Sequence, residues 1–94
     1  MLITHNEDYI TAININQIAQ ISYMRLKKEH VSYIQIPKEL DSGNPIYLLD
    51  IVLNNGKQYN KLYASHDECQ KMFNDLVDFM KSNKEDDSTF DLYL

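Results

Sequence analysis

The sequence has little of what marks secreted, membrane-spanning or disulfide-linked proteins. Cys69 is the only cysteine among 94 residues, so no disulfide can form within the chain and nothing in it requires an oxidising compartment. No stretch approaches the roughly 20 apolar residues that span a bilayer, and the N-terminus lacks the basic and then apolar order of a signal peptide. These absences predict a cytoplasmic protein that does not enter a membrane.

Glycine, proline and arginine are also scarce. The chain has 2 Gly and 2 Pro, and Arg25 is its one arginine. Its formal net charge of −5 repels phosphate backbones, so we expect no direct binding to nucleic acid. Hydrophobic residues make up 44% and charged residues 24%, close to the averages of globular proteins. A chain of this length and composition fits one domain with its own core.

Catalytic and nucleotide-binding motifs are absent as well: there is no GxSxG, HExxH, Walker-type loop or dinucleotide fingerprint. The one suggestive spacing is His66 and Cys69, which one helical turn separates, as in some metal sites and Cys/His nucleophile pairs. Cys69 also belongs to the apolar stripe of a predicted helix, and a buried free cysteine usually behaves as a small hydrophobe. We therefore expect no catalytic, cofactor or metal site. The alternative is a small enzyme or metal-binding protein that uses His66 and Cys69.

The clearest local structure lies in the middle of the chain. Two apolar runs, 46–53 and 58–64, flank the sequence Asn54-Asn55-Gly56-Lys57. An Asn-Gly step between such runs predicts a β-hairpin with a type I′ turn, in which both turn residues have positive φ. The first strand has apolar residues on both faces and should be central, whereas the second has a mixed pattern typical of a strand nearer an edge.

Upstream segments predict further strands. Residues 9–15, 18–26 and 31–36 are rich in β-branched and aromatic side chains, which favour strands. Residues 18–26 are also compatible with a helix, because their apolar residues recur at a spacing of three. The two prolines and the glycine of 37–45 predict a surface loop.

A helix is predicted over 66–82. Ser65 stands three residues before Glu68, the spacing of a capping box. An apolar stripe follows, formed by Cys69, Met72, Phe73, Leu76 and Met80. Together the elements predict an α+β fold, a bent antiparallel sheet of four or five strands with one C-terminal helix packed on it, in a roll or pleckstrin-homology-like arrangement.

The run IVLNNGKQYNKLYASHDEC (51–69) combines a strand, an NGK turn, a second strand and a capped helix. Over about residues 46–80 the chain resembles small bacterial and phage proteins of sheet-plus-helix type and, more faintly, the flagellar FlbD family. The resemblance implies a hairpin followed by a helix. It carries over no activity and no functional residue.

The end of the chain has a different character. We expect residues 1–82 to form the domain and 83–94 to form an acidic tail with an apolar C-terminus, Phe90 to Leu94. Such an end either folds back as an extra strand or plug on its own core, or binds another chain. The candidate partner-binding residues lie on the tyrosine-rich second hairpin strand and in this tail: Tyr59, Tyr63, Asp86, Asp87, Phe90, Asp91, Leu92 and Tyr93.

These features predict a non-catalytic protein-binding or regulatory module of a bacterium or a mobile element. Its partner would be another protein or a second copy, bound through a sheet edge or the C-terminal tail, because tyrosine is enriched in interfaces and free edges recruit strands. An acidic inhibitor that imitates the charge of nucleic acid is one form of this hypothesis. A self-associating structural module is another alternative.

Overall fold

The computed structural model describes residues 1–26, 45–82 and 88–94. The predicted strand at 31–36, most of the predicted loop 37–45, and the tail residues Asp86 and Asp87 lie outside this range. The described elements follow in chain order: β1 (Leu2–His5), β2 (Ile10–Ile13), a 3-10 helix (Ile15–Gln17), β3 (Ile18–Arg25), β4 (Tyr47–Leu53), β5 (Gln58–Tyr63), α1 (His66–Ser82) and β6 (Phe90–Tyr93).

The six described strands form two sheets. Sheet A has the order β2-β1-β6, and sheet B has the order β3-β4-β5. The α+β class with a helix after the strands of the hairpin is confirmed. The strands differ from the expected single antiparallel sheet in two ways: they divide three and three, and β6 runs parallel to β1. The parallel pair arises because the chain crosses over through α1 before β6 returns to sheet A.

The division between the sheets begins at Asn14. Its side-chain Oδ1 accepts a hydrogen bond from the Asn16 N–H at 2.9 Å, and the Gln17 Oε1 accepts one from the Asn14 N–H at 3.2 Å. This reciprocal cap starts the 3-10 helix, since side-chain amides that bond nearby backbone compete with strand pairing. The strand predicted over 9–15 therefore ends at Ile13, and Ile15 lies in the 3-10 helix.

The predicted hairpin joins β4 to β5, but its turn is not type I′. The Gly56 N–H donates to the Leu53 carbonyl at 2.9 Å, and the Leu53 N–H donates to the Lys57 carbonyl at 2.8 Å. Gly56, with φ of 87°, is the only residue with positive φ in the described part of the chain. The loop thus has three residues with the left-handed position on glycine, so Asn55 keeps an ordinary φ and its Oδ1 accepts from the Lys57 N–H at 2.9 Å.

Helix α1 packs on all three strands of sheet B. One half of the predicted capping box is present at its start, where the Ser65 Oγ accepts a hydrogen bond from the Glu68 N–H at 3.4 Å. Strand β4 is central, as predicted, and β5 is the outermost described strand on its side. The stripe of α1 faces the sheet, with Cys69 and Leu76 fully buried. The helix-facing side of sheet B supplies the rest of this core: Leu49, Ile51, Leu53, Tyr59 and Tyr63.

Sheet A contributes to the same core. Leu2, Ile13 and Leu92 are at most 2% exposed and belong to one cluster with the core residues of sheet B and α1. The rings of Phe79 in α1 and Phe90 in β6 are 5.4 Å apart. The apolar end of the chain therefore folds back as a strand, which is the first of the two alternatives for residues 90–94.

Candidate protein-binding surface

The face of sheet A that points away from the core is built from two rows of side chains. Register places Ile10 opposite His5 and His5 beside Tyr93, so these three side chains form one row across the three strands. The second row contains Ala12, Ile3 and Asp91. We call these six residues the outer face of sheet A: Ile3, His5, Ile10, Ala12, Asp91 and Tyr93.

Exposed hydrophobic side chains concentrate at this sheet. Ile10 is 67% exposed, Tyr93 is 61% exposed, and Tyr9 at the start of β2 is 56% exposed. Of the six large hydrophobic side chains that are exposed in the described residues, five lie on sheet A or next to its strands: Met1, Tyr9, Ile10, Tyr93 and Leu94. Two of the five, Ile10 and Tyr93, lie in one row of the outer face. Scattered single residues of this kind are normal on a monomer, whereas exposed apolar residues on one face are typical of an interaction site.

His5 holds the centre of the outer face in place. Its Nε2 lies 2.8 Å from the Asp91 Oδ1, and its ring stacks on the ring of Tyr93 with centroids 4.3 Å apart and planes 17° apart. Strand pairing explains these contacts, because the β1–β6 register puts Tyr93 beside His5 and Asp91 two residues away on the same face. The exposed ring of Tyr93 is therefore ordered before any partner binds.

Apart from His5 and the α-ammonium of Met1, which donates to the Ser88 carbonyl at 2.9 Å, the charged groups of sheet A are acidic. Residues 1–24 and 88–94 contain neither lysine nor arginine, whereas they include Glu7, Asp8 and Asp91, all of them exposed. Glu7 and Asp8 lie in the turn between β1 and β2, beside the exposed Tyr9 and Ile10. The surface thus combines exposed apolar side chains with carboxylates and suits a partner that carries cations next to apolar groups.

The residues proposed from the sequence for partner binding divide between the core and the surface. Tyr59 and Tyr63 are 6% and 9% exposed, and Leu92 is 1% exposed, so all three pack inside the chain itself. Asp91 and Tyr93 lie together on the outer face of sheet A, while Phe90 is partly buried against the core. The sequence reasoning did not single out Tyr9, Ile10 or His5 for this role.

The side chains of His66 and Cys69 lie in different environments. Cys69 is fully buried, and burial raises the pKa of its thiol, which favours the unreactive protonated form. The His66 side chain is 48% exposed, and its Nδ1 lies 3.3 Å from the Asp67 Oδ1. Within 1–26, 45–82 and 88–94, no three His, Cys, Asp or Glu side chains are grouped so that they could hold a metal ion.

A second surface feature is an open groove of about 440 Å³ between β3 and the last turns of α1. Ile18, Ala19 and Ile21 line one side, and Val77 and Met80 line the other. Among the described residues that line this groove, Lys81 is the one ionisable side chain. No helix in the described part of the chain is long and apolar enough to cross a membrane.

Comparison with known proteins gives no match to any family model, any curated protein or any solved structure. The faint resemblance of residues 46–80 to the FlbD family therefore stays a prediction.

Proposed function

We propose that the protein is a non-catalytic protein-binding module, with a regulatory role in a bacterium or a mobile element, and that it binds its partner through the outer face of sheet A. The observation that carries this proposal is the grouping of exposed hydrophobic side chains on sheet A, where Ile10 and Tyr93 are the two most exposed. A location in the cytoplasm is part of the proposal and is supported by the single cysteine.

The geometry favours binding because the surface is ordered in advance. Immobilising a flexible side chain at an interface costs roughly 0.5 to 1.5 kcal/mol. Tyr93 avoids part of that cost, since its ring already stacks on His5 and His5 is hydrogen-bonded to Asp91. Tyrosine and isoleucine side chains on a sheet also present a rigid apolar surface, which supports binding to another protein.

The first experiment is affinity capture from a bacterial lysate with matched variants of the full chain. The test variant is Ile10→Ser with Tyr93→Ser. The control is Met24→Ser, which changes the one exposed large hydrophobic residue of the described chain that lies outside sheet A. A partner that is retained by the wild type and by the control, and lost by the double variant, would support the proposal. Retention by all three proteins would contradict it.

An acidic inhibitor is the form of this function that the charge distribution favours. The supporting observation is the absence of lysine and arginine from residues 1–24 and 88–94, beside the carboxylates of Glu7, Asp8 and Asp91. Contacts between exposed charges are screened as ionic strength rises, over a Debye length of about 10 Å at 0.1 M. The captured partner should therefore elute with increasing salt. A complex that is insensitive to salt would contradict the inhibitor hypothesis but not the proposed apolar contact.

A further inference from the structure

The backbone of β2 has hydrogen-bonding groups that face away from sheet A. The His5 carbonyl accepts from the Leu94 N–H at 2.9 Å, so the backbone polar groups of His5 point toward β6. His5 and its register partner Ile10 are therefore a non-hydrogen-bonded pair of the β1–β2 ladder. It follows that the N–H and C=O groups of Ile10, and of Ala12 two residues on, point to the outer edge of β2.

Two of the features that normally prevent another strand from pairing are missing from this edge, and no strand in the described part of the chain pairs with it. Strand β2, with the sequence ITAI, has no charged residue and no proline, and its Ile10 and Ala12 side chains are exposed. Sheet B differs, because β5 carries Lys61, whose Nζ lies 5.3 Å from the centre of the Tyr63 ring. The Lys57 Nζ, just before β5, lies 5.4 Å from the centre of the Tyr59 ring. Lysine on an edge strand is a common device against strand pairing, and β2 has none.

We propose that the outer edge of β2 binds an extended segment of a partner protein that carries lysine or arginine next to apolar residues, by addition of that segment as a fourth strand of sheet A. This inference rests on the proposed function. The hydrogen bonds would come from Ile10 and Ala12, and an apolar side chain of the added strand would extend the row that contains Ile10, His5 and Tyr93.

The charges near β2 indicate which kind of partner segment would bind at its edge. Glu7 and Asp8 flank the start of β2, and no lysine or arginine occurs in residues 1–24 to balance them. A cationic segment is attracted to this edge, while an acidic one is repelled. The same argument disfavours a second copy of this chain, which would bring its own Glu7 and Asp8 and a formal net charge of −5.

The test uses the full chain and two short fluorescein-labelled peptides. One peptide alternates lysine with valine, and its matched control alternates glutamate with valine. We expect the lysine peptide to bind, with an affinity that falls as salt is raised, and the glutamate peptide not to bind. Hydrogen exchange should slow at the Ile10 and Ala12 amides when the lysine peptide is added. Absence of binding, or equal binding of both peptides, would overturn the inference.

The variant that tests the edge is Ala12→Pro. It removes the outward N–H of residue 12 without removing a donor to β1, and proline is tolerated on edge strands in that position. We expect the affinity for the lysine peptide to fall about fivefold to tenfold, the equivalent of one hydrogen bond. Ala12→Val keeps the donor and should bind as the wild type does. A second variant, Ile10→Lys, tests the edge should Ala12→Pro fail to fold. Its new lysine should repel the lysine peptide, and the core should be unaffected because Ile10 is 67% exposed.

The two proposals fail in different ways. If the double variant Ile10→Ser with Tyr93→Ser loses the captured partner while Ala12→Pro retains it, the outer face binds the partner and strand addition is wrong. If neither variant affects capture, both proposals are wrong. A homodimer of the wild-type chain in sedimentation that Ala12→Pro dissociates would identify a second copy as the occupant, and would also overturn the inference.

Discussion

Sheet A and sheet B have three described strands each and share one core, yet they expose different surfaces. Sheet B is covered on one face by α1, and its outer strand β5 carries Lys61 over the ring of Tyr63. Sheet A presents exposed Ile10 and Tyr93 on its outer face and has no lysine or arginine. The difference indicates that sheet B and the helix supply most of the core, and that sheet A adds to this core on one face while the other is available for contact.

The largest expected effect concerns the face of sheet A that packs in the core. Leu92 is 1% exposed in β6, so Leu92→Ala should reduce the free energy of unfolding by about 2 to 5 kcal/mol, the usual cost of removing a buried leucine side chain. The matched control is Tyr93→Ala on the outer face, with an expected loss of about 1 kcal/mol or less from its stacking on His5. Urea unfolding measures both. Equal effects of the two substitutions would mean that β6 does not have one buried and one exposed face.

A smaller effect tests the core of sheet B. The Tyr63 hydroxyl is buried and has no hydrogen-bond partner among the described residues. An unsatisfied buried polar group costs about 1 to 3 kcal/mol, so Tyr63→Phe should raise the free energy of unfolding by roughly 1 kcal/mol. Tyr59→Phe, in the same strand, is the control, because the Tyr59 hydroxyl is not among the buried atoms without a partner. A loss of stability in Tyr63→Phe would show that its hydroxyl is bonded.

Tyr63 also predicts a pH dependence. Burial, followed by the nearby Cys69 and Glu68, raises its pKa from 10.0 to about 12. The unfolded chain loses this proton at lower pH than the folded chain, so stability falls as pH rises from about 10 to about 12. Tyr63→Phe should lack that part of the fall, which thermal unfolding of both proteins at a series of alkaline pH values would measure. Parallel curves would contradict the raised pKa.

The smallest effect concerns the face of sheet B opposite the helix. Asp50 lies there between Ser22 and Asn60 in register, and burial raises the pKa of its carboxyl above 3.8. The folded state therefore keeps the proton to higher pH than the unfolded state, and stability falls as pH rises from about 3.8 through the folded pKa. Asp50→Asn removes this fall and should be more stable than the wild type at pH 7. Asp8→Asn, on the exposed turn, should change stability by less than about 0.5 kcal/mol. Equal stability curves against pH for the wild type and Asp50→Asn would contradict the raised pKa of Asp50.

Much of sheet B could be predicted because its signals are local. The Asn-Gly step fixes the hairpin, and Ser65 with the apolar stripe that includes Cys69 and Leu76 fixes the helix and its buried face. The type of turn was missed because Asn-Gly fits both a two-residue loop and a three-residue loop with glycine left-handed. Only the register of β4 and β5 distinguishes the two.

Sheet A was harder to predict because its pairings join distant parts of the chain. Strand β1 has four residues and pairs with β6, which starts at Phe90, so no local pattern predicts the pair. The alternation of Leu2 and Thr4 with Ile3 and His5 was the available signal for β1. The separation of the three strands in the sequence also explains why the proposed binding surface was not predicted, since Ile10, His5 and Tyr93 come together only through strand register.

The most direct test of the difference between the sheets is amide hydrogen exchange of the full chain, alone and with the protein that it captures. We expect the partner to slow exchange at residues 9–13 and 90–94 and to leave residues 57–63 unchanged. Slower exchange at 57–63, with no change at 9–13, would place the binding surface on sheet B and contradict binding through sheet A.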